Sequence, residues 1–397
     1  MISTLAVVVA FTASAQVPAE YQTKYAGLVG KSGASLFSQL ESIAAYGYQS
    51  HSYNDLWTFF LTTDLDADGK IWDMYSTCTF TPKKNQCGSY SSVCSCYNRE
   101  HSLPKSWFGG SDSNAPGTDL FHLYPTDGKV NGQRSNNAFG ECANGTSEGP
   151  KALGKLGAST LPGYTNISPV FEPDDQYKGD FARSYFGMLV RYGTSFAFNQ
   201  ADGGVTMFSN SGKNINAGNH FGLTDYSIAL LMKWTRQDPV STKETNRNNG
   251  IQQTQGNRNP FIDCPVLAEY LWGNKVGQAV SRDDLLACGC IDSASYTAIG
   301  EVVAAEPTDY VSRLASVTLT PNAEGFELTC LPVGTHIFFF NAQGQLLRVD
   351  QADQASYTFN SSTKVGEVAV GQRGLNPSLL FLVLAIDSET RTFKLAL

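Results

Sequence analysis

Apolar residues between positions 17 and about 60 recur at helical spacing, and Leu36, Leu40, Ile43 and Ala44 share one face of the predicted helix. The same period returns at Tyr226, Ala229, Leu230 and Trp234, where Thr224 supplies a cap and Asp238-Pro239 a stop. A polar helix is predicted from Ser241 to about Thr254, and the aromatic-rich stretch from Gly163 to Ser211 extends the same body. Near residue 295 the period shortens. Ser316–Thr320, Phe326–Cys330, His336–Phe340, Leu346–Val349, Ser356–Phe359, Glu367–Val370, Leu379–Ile386 and Thr392–Leu397 are β-branched or aromatic runs divided by turns such as Ala342-Gln343-Gly344. That spacing predicts a small all-β sandwich, so the fold class is α+β: a mixed, helix-rich domain over 16–295 followed by a β accessory domain over 296–397.

The first residues add a third segment. Leu5 to Phe11 is apolar and Ala13-Ser14-Ala15 fits a small-residue cleavage rule, which predicts a signal peptide over 1–15. No Lys or Arg precedes the apolar run, and a buried N-terminal strand or helix is the competing reading. The run is too short to span a bilayer, and no other segment reaches spanning length. The expected protein is a secreted or periplasmic monomer without a membrane span.

Charge narrows the partners. A net charge of −8 and 16% charged residues exclude a generally basic nucleic-acid coat protein. They leave room for an enzyme with a small basic cleft on an acidic body. Cysteine usage fits an oxidising compartment: there are nine, and Cys87, Cys94 and Cys96 stand where a staple would hold the segment that follows. The pairs Cys94/Cys96 and Cys288/Cys290 are too closely spaced for the usual zinc pattern, so disulfides or buried thiols are the better reading. Asp64-Leu65-Asp66-Ala67-Asp68-Gly69 opens like a calcium loop. Its twelfth position is Tyr75 instead of a bidentate Glu, so a polar turn is preferred over a partial calcium site.

The chemistry concentrates in Asn98-Arg99-Glu100-His101 and in the run from Asp119 to Asn136. A histidine is the natural base near neutral pH, and a carboxylate beside it is a ligand for a hard cation such as Mg²⁺. Neighbours on a strand point to opposite faces, so using both Glu100 and His101 requires a strand end, which Pro104 makes plausible. Leu120–Tyr124 reads as the second strand. A helix over Lys129 to Phe139 would place Asn131, Arg134 and Ser135 on one face, with Asn131 toward a metal and Arg134 toward a phosphate. Gly132 weakens that helix. This set suits metal-assisted phosphodiester cleavage.

The runs Asn98 to Phe108, Asp119 to Asn136 and Gln255 to Asp263, with Trp72 to Ser76 and Trp234 to Pro239, resemble the secreted bacterial endonuclease I family over roughly residues 20 to 275. The resemblance implies a ββα-metal core, in which two strands and a helix clasp one divalent ion. It implies His101 as general base and Glu100 and Asn131 as ligands of Mg²⁺, with Mn²⁺ or Ca²⁺ as substitutes. It also implies sequence-nonspecific cleavage of DNA, and in many members RNA, to 5′-phosphate ends. Better-known members carry an Arg between the histidine and the second strand. Gly109 to Thr118 contains no Arg or Lys, and Arg134, Lys105, Arg99 and Arg258 are the candidates to replace it.

Arg99, Lys105, His122 and Arg258 are the expected substrate-binding residues, against a bland reading in which His122 and Arg258 pack in the core. The segment Lys233 to Arg258, with five Lys/Arg against two Asp/Glu, is the candidate phosphate-tracking face. The C-terminal module resembles, loosely, the sorting domains of proteins exported by gliding-type bacteria; a surface-binding module is the rival. The missing Arg keeps a second class open, a nuclease-derived binding or adhesion protein without turnover. A dedicated extracellular ribonuclease is the third reading.

Overall fold

The computed structural model describes residues 17–199 and 203–292, together with the strands between 317 and 395. The expected signal peptide at 1–15, Glu367–Val370 and Cys330 lie outside the described residues. The chain divides into two compact units, one up to Thr297 and one from Ala298.

The first unit is mixed α and β. Its spine is the helix Lys178–Tyr192, buried along almost its whole length, including Phe181, Tyr185, Phe186 and Leu189. An element buried all round requires apolar neighbours on every side, and Gly33–Ala45 and Asp225–Gln237 provide them. The first of these buries Leu36, Leu40, Ile43 and Ala44, the face its periodicity indicates. Thr224 caps the second by accepting from the Ser227 N–H, and Ser241 opens Thr242–Thr254 with a capping box closed by Glu244. The turn at Asp64–Gly69 is polar: Asp64 pairs with Arg247 at 2.8 Å, and Asp66 accepts from the Asp68 and Lys70 backbone N–H groups.

Two interleaved disulfides, Cys78–Cys94 and Cys87–Cys96, close the loop that enters strand β1 (Tyr97–His101), and Cys264–Cys290 staples the end of the unit. Cys142 and Cys288 are free thiols. Strand β1 pairs antiparallel with β2 (Leu123–Asp127), and the helix Gly128–Arg134, the site helix below, follows at once.

In the second unit the described strands form two antiparallel sheets. One contains Thr318–Asn322, Gly325–Thr329 and Ser356–Asn360; the other contains His336–Asn341, Leu346–Gln351, Leu380–Ile386 and Glu389–Leu395.

Candidate active site

Register sets the site. Glu100 lies opposite Tyr124 and His101, the last residue of β1, opposite Leu123. Pro125 sits inside β2, which is permitted because each strand of a two-stranded sheet has a free edge. Asp127 ends β2 and caps the site helix, its carboxylate accepting from the Lys129 N–H at 2.8 Å and the Val130 N–H at 3.1 Å. Its other oxygen accepts from the Cys94 N–H at 2.6 Å, so one side chain ties the strand, the helix and the disulfide loop together.

These elements surround an open pocket of about 360 Å³, lined among others by Tyr53, Tyr90, Arg99, Glu100, His101, Lys105, Asn131 and Arg134. Glu100 is buried, and its Oε1 accepts from the Tyr75 hydroxyl at 2.8 Å with the Arg134 guanidinium 3.4 Å away. Burial pushes the carboxyl up to about 7, against the opposing pull of Arg134 and Tyr75. A buried acid whose charge one arginine only partly compensates is well matched to a further cation. Asn131 donates its Nδ2 to Asn98 Oδ1 at 2.8 Å, which leaves the amide oxygen as the end available to a ligand. Asn98 and Glu100 stand two residues apart on β1 and so face the same side. A carboxylate oxygen plus an amide oxygen is a hard donor set that leaves the remaining positions to water and phosphate, as Mg²⁺ prefers. The residues fit the ion.

His101 Nε2 donates to the Gly117 carbonyl at 2.9 Å. That bond fixes the tautomer and leaves the lone pair on Nδ1. Burial first, and the neighbouring His122 second, hold the ring well below the usual histidine range, so it is neutral at pH 7. The imidazole packs on the Tyr53 ring with centroids 5.6 Å apart and planes at 19°. Arg99 covers Tyr53 at 3.6 Å and Trp57 at 4.4 Å, and Lys105 pairs with Asp112 at 3.1 Å.

The sequence profile of the Endonuclease I family matches residues 32–266. The chain belongs to that family. It is accordingly a nucleic-acid phosphodiester hydrolase. It is 35% identical to an extracellular ribonuclease of Bacillus amyloliquefaciens over 64% of this chain and 79% of the relative. An extracellular ribonuclease of Bacillus subtilis is 34% identical over 64% and 80%. An extracellular deoxyribonuclease of Aeromonas hydrophila is 26% identical over 54% of this chain and 83% of its own.

Several site residues of this endonuclease I chain stand where the sequence did not put them. The site helix stops at Arg134, because Ser135 turns to a φ of 52°, so Ser135 leaves the helical face that Asn131 and Arg134 share, although it and Asn136 still line the pocket. Arg134 lines the pocket wall, yet it is 1% exposed and its guanidinium is engaged by the carbonyls of His101 and Ser102, the Tyr185 hydroxyl and Glu100. It braces the end of β1; it does not reach out toward a phosphate. His122 is fully buried outside the pocket lining: Nδ1 accepts from the Leu103 N–H at 3.3 Å and Nε2 donates to the Pro116 carbonyl at 2.7 Å. Arg258 is likewise buried away from the pocket, forked onto Asp263 at 2.6 and 2.8 Å.

The second strand begins at Leu123 rather than Leu120, since Asp119 accepts from the Phe121 N–H and Gln255 and Arg247 occupy the Leu120 N–H and carbonyl. None of the five cations of 233–258 lines the pocket. Lys233, Arg236, Lys243, Arg247 and Arg258 are each paired, with Glu141, Glu269, Asp180, Asp64 and Asp263. Sequence reasoning missed Tyr75, Tyr53 and Tyr90, of which only Tyr75 lay in a segment resembling the family.

Proposed function

We propose that this chain is a secreted, Mg²⁺-dependent, sequence-nonspecific nuclease acting on RNA and DNA and leaving 5′-phosphate ends, with His101 as general base and Glu100 and Asn131 as metal ligands. The observation that carries the reading is the Gly117 carbonyl on His101 Nε2, which leaves the Nδ1 lone pair free on a ring that lines the same pocket as Glu100 and Asn131. His101 Nδ1 accepts a proton from the attacking water. Glu100 and Asn131 would hold the divalent ion, which when bound neutralises charge on the phosphate and on the departing oxygen. Tyr75 and Arg134 fix the Glu100 carboxylate, and Arg134 also clamps the strand end that carries His101. Arg99 and Lys105, which line the pocket, supply positive charge in place of the Arg that better-known members carry.

The higher identity to the two extracellular ribonucleases favours RNA as the better substrate, with a dedicated ribonuclease as the second reading. Parallel digestion of RNA and duplex DNA, with Mg²⁺ and with chelator, separates these. Turnover that survives chelation removes the metal, and absence of turnover on both leaves the binding-protein reading. His101→Ala is expected to lower turnover by at least about a thousandfold while binding persists, consistent with loss of a general base. Near-native turnover by that variant would remove the assignment. The C-terminal strands we read as an accessory β-sandwich for sorting or surface attachment. A mature protein lacking residues beyond about 300 in the medium supports sorting, whereas retention of the full chain on a cell-wall fraction supports attachment.

A further inference from the structure

Tyr90 lies on the loop between Cys87 and Cys96, which their disulfide closes, and it is 40% exposed, unusual for a large aromatic ring. Its inner face is laid along the site helix. A Cβ at Gly128 would meet Tyr90 Cδ1 at 2.9 Å, and a Cβ at Gly132 would meet its hydroxyl at 2.2 Å. Those glycines are four residues apart, on one helical face, so the ring spans one turn and needs both bare positions. Tyr90, Gly132 and Asn131 line the same pocket as His101, Arg99 and Lys105. Tyr53, the other tyrosine of the lining, is not available as a platform, since Arg99 and His101 pack against its ring. The pocket therefore offers one open aromatic face beside a proton acceptor and two cations.

We infer that Tyr90 stacks on the nucleobase beside the scissile phosphate, so that the enzyme favours unpaired strands, whose bases are free to leave their neighbours. This rests on the nuclease reading above. An aromatic face accepts any base, in keeping with nonspecific cleavage, whereas a duplex keeps its bases stacked on one another. The cations hold the backbone and the ring holds the base.

The test uses the full chain carrying His101→Ala, so that substrate survives, and fluorescence anisotropy in Mg²⁺ with two probes. One is an eight-nucleotide single-stranded DNA; the other is the same length with every base replaced by an abasic linker. The intact strand is expected to bind about tenfold more tightly than the abasic one. Adding Tyr90→Ala removes that ratio and leaves abasic binding unchanged, while adding Tyr90→Phe preserves it. Circular dichroism verifies folding of each variant. A tenfold ratio that persists in Tyr90→Ala, or no ratio in the parent, overturns the inference. A loss of affinity in Tyr90→Ala shared equally by both probes assigns Tyr90 a packing role instead, which also overturns it. Wild-type protein that digests neither RNA nor DNA with Mg²⁺ defeats the nuclease reading, a separate outcome.

Discussion

A histidine whose ring nitrogens are both committed, one accepting and one donating, can only be the neutral imidazole. His122 is in that position, and burial draws it down to about 4. In the unfolded chain the same group titrates near about 6.5. Between those values the unfolded state binds more protons, so stability falls as pH drops below about 6.5 and the loss is complete below about 4. A span of that width corresponds to on the order of 3 kcal/mol. Urea unfolding at pH 7 and at about pH 4.5 is therefore expected to show a smaller acid-induced loss in His122→Gln than in wild type. Equal losses would show that His122 does not carry this pH dependence. His101 is also held neutral, first by burial and second by His122, so replacing His122 eases that depression too and acts in the same direction. Its depressed proton affinity has a sign of its own: the base is already free at neutral pH, so no activity step near about 6.5 is expected from it.

At the scale of elements, the site is a strand end and a helix start brought together by parts distant in sequence. Of the helices of the first unit, Gly33–Ala45, Asp225–Gln237 and Thr242–Thr254 were legible, from spacing along one face and from the starts that Thr224 and Ser241 announce; the spine Lys178–Tyr192 was not, since a helix buried all round leaves no such period. That Glu100, His101 and Asn131 come together in one pocket was legible, because each bears chemistry within a short, ordered pattern. The shift of β2 to Leu123 was not, since the groups that hold Leu120 come from Gln255 and Arg247. Nor was the use of Arg134, whose partners arrive only once β1 and the site helix have packed. Gly132 shows the difference best. In the sequence it only weakens a helix; in the fold it makes room for Tyr90. Gly132→Ala gains helix propensity of about 1 kcal/mol, and the atom it meets is the movable end of a tyrosine. The ring is expected to swing away with the melting temperature unchanged or raised, while the preference for intact over abasic strands disappears. A retained preference would mean that the ring does not need that space.

At the scale of the molecule, the question is how an acidic protein, at net charge −8, holds a polyanion. The sequence suggested many phosphate contacts along 233–258, but those five cations are paired, and Lys243, Arg247 and Arg258 are buried. Among the cations of the described pocket, Arg134 is also enclosed, which leaves Arg99 and Lys105 to meet the backbone. Counterion release scales with the phosphates neutralised, and two contacts on a single strand give a slope of log K against log salt of about −1.4. Adding the five cations of 233–258 would bring it to about −5. Anisotropy of the eight-nucleotide strand on the His101→Ala protein, between about 50 and 200 mM salt at fixed Mg²⁺, distinguishes the two. The shallow slope is expected, because stacking on Tyr90 does not release ions and an acidic surface repels phosphate beyond the pocket. A steep slope would mean that those ion pairs open to receive the strand, and that the charged helices form part of the substrate path.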